Sequence, residues 1–542
     1  MKLVAYKKYA IYGVALFAFS LTWLLVVMPI SIRKILRHEV ALKKGWPMRG
    51  MWEKYPFPLL FHIYVFNVTN PASVSRGEKP ALQQIGPFVY DEWIEKTSVQ
   101  DHEEDDSVSY LSKRTYRFNA ARSKNYTGDE EVVIPHLFAV GLINGVLRMK
   151  PDSIFLVAPA LDSILRKPES AFARVKVRDL LFDGLLIDCN VEDFAGAIAC
   201  KEIADRYEHL RLKLVGKKLY ALSFLGTDNG TATQARVRVK RGIRDLQDLT
   251  KIVSYDNRTK LTIWDDEGCD RLHGTDGSLF HPFLDRGGRE QLTTYTPQFC
   301  RSLVASFVAK VGLGAFCVQL LRYTTDLGVD GLGQAEHKCY CPGGRTACPR
   351  RGVFDLFKCQ GQPLVVSNPH FYLADPAFLG AIGSGLEPDK AKHAIEIDVD
   401  PLIGTPVRAR LRFQLNIQLQ PVQEVPLVRG FPEVLLPLVW VDETLDLPRK
   451  FVVMIVAAHA IIGLSKLILM CTTIAGLGMC CYAGLLLYNE KRSSSSLYPN
   501  NGELGSTAAT GNNNGSGSVS PMSGEEQRSA FDIIKTKIFP NR

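Results

Sequence analysis

The stretch LRFQLNIQLQ, residues 411–420, alternates apolar and polar side chains without a break. Leu411, Phe413, Leu415, Ile417 and Leu419 fall on one face of an extended chain, and Arg412, Gln414, Asn416, Gln418 and Gln420 on the other. A period of two marks a strand with one apolar face, because successive side chains of a β-strand point to opposite sides of its sheet. Working outward, LFHIYVFNV (60–68), SYLSKRTYRFNA (109–120) and RVRVKRG (236–242) carry the same alternation. GPFVYDEW (86–93) reads as a short strand after a Gly-Pro turn. Many strands joined by long irregular links predict a large antiparallel barrel or sandwich.

Between residues 134 and 205 the period changes. PHLFAVGLINGVLRM, DSILRKPESAFARVKVRDLLF and DFAGAIACKEIADRY space their apolar residues as helices do, with Pro151 and Pro168 as breaks, so a helical cluster is expected inside the β domain. After Glu490 the tail is rich in Ser, Gly and Asn and has almost nothing to bury, which predicts disorder over 489–542.

Two apolar runs set the topology. Residues 10–30, AIYGVALFAFSLTWLLVVMPI, hold 21 residues without a charge, long enough to span a bilayer and longer than the apolar core of a signal peptide. This predicts an uncleaved signal anchor. The second run, 451–488, is interrupted by Lys466, so 467–488 is the best span, with the Lys466 stem snorkelling to an interface. Two spans place both termini on one side and residues 31–450 on the other. The charge rule is divided: Lys491 and Arg492 favour a cytoplasmic C-terminus, while Arg33, Lys34 and Arg37 outweigh Lys7 and Lys8. Asn67, Asn125, Asn229 and Asn257 each open an Asn-x-Thr glycosylation triplet, which favours an extracellular middle segment. Asn514 opens another in the tail.

Four cysteines crowd KCYCPGGRTACPRRGVFDLFKC, residues 338–359. Thiolates at such spacing hold zinc in a reducing compartment and cross-link in an oxidising one. Nine of the 12 cysteines lie between the two spans and form no paired CxxC sets, which leans the reading to disulfides and away from any metal.

A net charge of +9 spread over 542 residues makes no case for nucleic acid. The chain has no Walker loop, Gly-x-Ser-x-Gly elbow or His-Glu-x-x-His, so nothing supports an enzyme or a bound cofactor. DHEEDD (101–106) lacks the ligand alternation of a calcium loop and reads as a solvated acidic turn. Arg236, Arg238 and Lys240 read as the wet face of a strand whose Val237 and Val239 turn inward, and His273, His281 and His370 as ordinary surface or core histidines.

From Trp52 to about Leu447 the chain resembles the class B scavenger receptor family: FNVTNP (66–71), GPFVYDEW, LLFDG (180–184), IWDDEGCDRLHGTDGSLFHPF (263–283), CRSL (300–303), LRYTTDLG (321–328), KCYCP (338–342) and GVFDLFKCQGQPLVVSNPHF (352–371) fall in the family's order. Glu95 and Lys96 ahead of DHEEDDSVSY, the Cys189 to Cys200 segment, VKRGIRD and LRYTTDLG are similar to its branch of insect sensory neuron membrane proteins.

The resemblance implies an α+β fold: a large antiparallel β-barrel ectodomain with a helical-bundle apex and an internal lipid tunnel, anchored by two transmembrane helices. It implies disulfides between Cys269 and Cys339, Cys300 and Cys359, and Cys341 and Cys348, with a fourth open to Cys189 and Cys200. Cys317 is left over and reads as a buried free thiol or an intermolecular bridge. His273 stands where the family has the Asn of a glycosylation triplet. The family's basic pair for acidic lipid heads falls on Arg166 and Lys167, equally readable as a solvated helix end. The implied function is a plasma-membrane receptor or conduit, with cytoplasmic termini, in sensory dendrites or supporting cells. It would take long-chain pheromones, odorants or fatty acids from soluble carrier proteins and pass them to the membrane and an olfactory receptor channel. The alternatives are a general scavenger or lipid-uptake receptor and, of another class, a receptor that traffics a protein through its apex.

Overall fold

The computed structural model describes residues 2–285, 287–313, 318–327, 338–341 and 348–495; Cys317, residues 496–542 and the Asn514 triplet lie outside them. The β domain is a single 13-stranded sheet. Its strands are β1 Leu59–Val68, β2 Leu82–His102, β3 Ser107–Phe118, β4 Val237–Lys240, β5 Ile252–Tyr255, β6 Leu292–Thr296, β7 Arg301–Gly312, β8 Gln319–Thr325, β9 Val353–Asp355, β10 Leu364–Ser367, β11 Ile395–Val399, β12 Pro406–Leu419 and β13 Val434–Asp446. The order is β5-β4-β3-β2-β1-β13-β12-β11-β8-β7-β6; β10 pairs with β12 and β9 with β10, all antiparallel.

The outermost strands, β5 and β6, are brought together by one short segment. Ile252 N donates to Gly274 O at 2.9 Å, Thr275 N to Thr293 O at 2.9 Å, and Tyr295 N to Thr275 O at 2.8 Å. Residues 274–275 thus bridge both edges and nearly close the sheet into a barrel, which occupies backbone groups that an open edge would leave unpaired. Gly274 has φ +88°, and a Cβ there would run into the Thr293 carbonyl, so the seam requires glycine.

GPFVYDEW does not follow a turn as a short strand; it lies inside the 21-residue β2. The helical zone is mixed. Helices Leu137–Met149, Val157–Ile164 and Phe194–Arg206 form as the spacing predicts, with Pro151 opening a 3-10 turn. Phe172–Lys176, however, is a strand paired with Glu131–Pro135, because Ala173, Val175 and Val177 alternate with polar residues and outweigh the helical pattern around them. Asn144 ties the helices to the barrel: its Nδ2 donates to Gln418 O at 2.8 Å, and its Oδ1 accepts from Gln420 Nε2 at 3.2 Å.

Two helices are long and apolar enough to cross a membrane, Tyr6–Val40 and Arg449–Ser493. The second belongs to a continuous helix, Arg449–Ser495, so Lys466 interrupts the hydropathy and not the helix. At about 1.5 Å per residue its 47 residues reach roughly 70 Å, more than twice a hydrocarbon core. In the unit formed by the two chain ends, Gly13 lies so close to Cys480 N and Gly476 O that a Cβ would approach them to 2.9 and 3.0 Å, the close helix contact small residues allow.

Candidate functional site

Within the barrel is a cavity of about 1070 Å³, to which every strand except β9 contributes side chains. Its wall explains the opening stretch of sequence. Leu411, Phe413, Leu415 and Ile417 of β12 face the cavity, and Leu411 is 37% exposed to it. The polar face meets protein instead of solvent. Gln414 and Asn416 are fully buried: Gln414 Nε2 donates to Asn416 Oδ1 at 2.8 Å, Asn416 Nδ2 donates to Val365 O and Ser367 Oγ at 3.0 Å each, and Gln414 Oε1 accepts from His370 N at 2.8 Å. The expected single-faced strand is therefore reversed in its exposure, as a hollow barrel with an outer layer requires.

At the helical end the cavity is lined by Met149, Lys150, Ile198, Arg206 and Arg211. Arg206 pairs with Glu202 at 3.0 Å, and Arg211 pairs with Asp228 while donating to Gln360 Oε1 at 3.1 Å. Lys150 is exposed. Arg166 and Lys167 are not among the lining residues. Both adopt left-handed backbone, with φ +56° and +59°, as the Val157–Ile164 helix ends. Arg166, 82% exposed, pairs with Asp188 at 3.0 Å.

Deeper in the barrel the apolar wall carries polar groups. Arg114 reaches Glu92 at 2.6 Å and Glu443 at 3.7 Å, one guanidinium between a buried carboxylate and a half-buried one. Burial and the Glu92 charge push Glu443 above the ordinary carboxylate range, against the pull of Arg114. The Tyr110 hydroxyl donates to Asp276 Oδ2 at 2.9 Å, and Ser278 Oγ donates to Asp276 Oδ1 at 2.5 Å. Lys96 lies beside them, 9% exposed, donating to Trp52 O at 3.0 Å, with its Nζ 4.5 Å from the Trp52 ring centre and 5.3 Å from those of Tyr55 and Tyr110. Burial lowers its ammonium to about 8, while Asp276 pulls the other way.

Among the described residues four disulfides are present: Cys189–Cys200, Cys269–Cys339, Cys300–Cys359 and Cys341–Cys348. The crowded cysteine segment is thus cross-linked. Asp266, Cys269 and Cys339 are grouped as metal ligands would be, but the two sulfurs are bonded to each other and metal coordination needs thiolates. The acidic turn between β2 and β3 is less solvated than its composition predicts. Arg241 grips Glu103 with two bonds of 2.7 Å and reaches Asp106 at 3.1 Å, Arg238 holds Asp105 at 2.9 Å, and Lys240 donates to Asp105 O at 2.5 Å. Arginines occupy the charges a calcium ion would need. The wet face of β4 is in fact the lining of this turn.

Asn125 and Asn257 are exposed, whereas Asn67 and Asn229 are half-buried and accept backbone bonds from Val133 N at 2.7 Å and Tyr116 N at 2.8 Å. Of the three histidines, His273 is exposed at the seam, His281 pairs with Glu290, and His370 is buried.

The sequence model of the CD36 family matches residues 11–487. Sensory neuron membrane protein 1 of Apis mellifera is 38% identical over 446 residues, covering 82% of this chain and 84% of that protein. The proteins of the same name from Helicoverpa armigera and Manduca sexta are 38% and 35% identical, covering 82% and 84% of this chain and 83% and 86% of theirs.

Proposed function

The chain belongs to the CD36 family of membrane receptors, and from that membership we propose that it is a non-enzymatic receptor and conduit for long-chain lipidic pheromones or odorants. The observation that carries this reading is the cavity: about 1070 Å³, walled by apolar side chains of nearly every strand and lined at one end by the helices. A bore of that size and polarity suits an amphiphile with a long hydrocarbon tail. Burying the tail supplies roughly 0.8 kcal/mol per CH₂, and delivery into lipid returns it to a medium equally apolar.

Ligands from a soluble carrier are attracted at the helical apex, with Arg166 and Lys167 on its outside and Lys150 on the cavity wall supplying cations. They then pass through the barrel to the plasma membrane, where an olfactory receptor channel samples them. Both termini are cytoplasmic in this reading, the barrel domain is extracellular, and the exposed Asn125 and Asn257 are its readiest glycan acceptors, ahead of Asn67 and Asn229. Exposed Phe155 and Phe194 on the apex favour a second reading, a docking face through which the receptor engages another protein.

The test is displacement of a fluorescent long-chain lipid from the full-length protein in lipid nanodiscs by fatty acids, aldehydes and acetates of increasing length. Affinity should rise with chain length, and Leu411→Trp, which fills open bore, should weaken binding roughly tenfold. A folded protein that binds no chain of any head group would overturn the conduit reading and leave the docking face.

A further inference from the structure

The cations lining the cavity are Lys96, Arg114, Lys150, Arg206, Arg211 and Arg412. Arg114 is matched by Glu92 and Glu443, Arg206 by Glu202, Arg211 by Asp228, and Arg412 by Asp442 at 3.0 Å. Lys150 is exposed to solvent. Lys96 is buried, and among the described residues no carboxylate comes within ion-pair distance of it. A buried ammonium without a counter-charge is costly, and such groups are ordinarily paired.

Its neighbours show why the charge stays open. Asp276, the acid whose field acts on it most strongly, has one oxygen taken by the Tyr110 hydroxyl and the other by Ser278, which in turn accepts from Trp52 Nε1 at 3.0 Å. Lys96 has three N–H donors and spends one on Trp52 O. The rings of Trp52, Tyr55 and Tyr110 surround it and partly replace water through their π faces. Tyr55 also lines the cavity.

We propose that Lys96 is a head-group site inside the bore, binding the carboxylate of a long-chain fatty acid whose tail lies along the wall of Leu411, Phe413, Leu415 and Ile417. Strand geometry makes that wall about 20 Å long. The ligand's carboxylate supplies the missing counter-charge, while the aromatic ring set holds the ammonium in place before the ligand arrives. The proposal rests on the conduit reading and adds a selectivity to it: a neutral chain crosses the bore, and an anionic one is retained at Lys96.

The experiment measures hexadecanoic acid and hexadecanol as competitors of a neutral fluorescent chain on the full-length protein in nanodiscs at pH 7. The acid should bind roughly tenfold more tightly than the alcohol. Lys96→Met should bring the two to parity while leaving the alcohol unchanged, and Lys96→Arg should keep most of the preference. If the alcohol and the acid bind equally to the unaltered protein, or if Lys96→Met leaves their ratio intact, the head-group site is refuted and the conduit stands. If neither binds, both are refuted.

Should Lys96→Met not fold, raising the pH of the unaltered protein from 7 to about 10 makes the same test. The acid remains ionised throughout, while the ammonium discharges. The groups facing it are Trp52, Tyr55, Tyr110, Asp276, Arg114 and Glu53, and burial keeps the two tyrosines neutral. The preference for the acid must then disappear; its persistence would refute the site.

Discussion

His370 and His393 stack with ring centres 4.4 Å apart under Trp440. His370 Nδ1 accepts from Glu387 N at 3.0 Å, so its Nε2 is the donor to Gln84 Oε1 at 2.7 Å, an oxygen that also accepts from Trp440 Nε1 at 2.7 Å. His393 Nδ1 accepts from Asp389 N at 2.9 Å. Burial depresses both rings, to about 3 for His370, with His393 adding to the fall, and to about 4 for His393. In the unfolded chain each titrates near 6.5, so between about pH 6.5 and 4 the unfolded state binds more protons and stability falls as pH falls. The melting midpoint should drop by several degrees from pH 7 to 5, and His393→Phe, which keeps a stacked ring, should flatten that drop. An identical pH profile in the variant would remove the pair from the account. Nothing in SNPHF announces this pair: His370 and His393 lie far apart in sequence, and their burial is a product of the fold. Lys96 and Arg114 were hidden for a related reason. Tyr110, Ser112, Arg114 and Tyr116 share one face of β3 and Leu111, Lys113, Thr115 and Arg117 the other, so the alternation marks a strand, but each face mixes apolar and polar residues and does not say which one is the interior.

At the scale of elements, the seam and the disulfides govern how firmly the barrel holds. Gly274→Ala would force a side chain into left-handed backbone against the Thr293 carbonyl, at a cost of at least about 1–2 kcal/mol, read as a lower midpoint in thermal unfolding of the full chain. The bridges separate by loop length. Cys300 and Cys359 lie 59 residues apart and Cys341 and Cys348 only 7. Chain-entropy arguments give the longer loop about 4 kcal/mol and the shorter less than 3, so a Cys300→Ser, Cys359→Ser double variant should lose more stability than the Cys341→Ser, Cys348→Ser one. Equal losses would point to local packing as the source. The strands with clear alternation, β1, β4 and β12, were legible residue by residue. The strand at Phe172–Lys176 was not, because five residues of period two were set in a zone whose longer-range spacing is helical. The burial of Gln414 and Asn416 was illegible for a further reason: an amide in a strand looks wet until the segment that covers it, here 365–370, is in place.

For the molecule as a whole, two apolar helices, many strands and a cysteine usage that leans to disulfides were readable from composition and period, while the pairings came from the family resemblance; together they describe a membrane-anchored barrel held by disulfides. The cavity was not readable from pattern, because an apolar face that lines a bore and one that packs a solid core have the same sequence period. Here that face stays accessible: the wall of β12 presents Leu411 to open space inside the barrel. Any occupant that fits the bore and not the unfolded chain shifts the folding equilibrium by RT ln(1 + [L]/Kd), about 2.7 kcal/mol when the free ligand is a hundredfold above its Kd. The protein is therefore expected to arrive from a membrane already loaded, and stripping it with detergent should soften it. Its melting temperature then serves as a gauge of cargo, so that two preparations of identical sequence differ in heat resistance according to what each carried away from its cell.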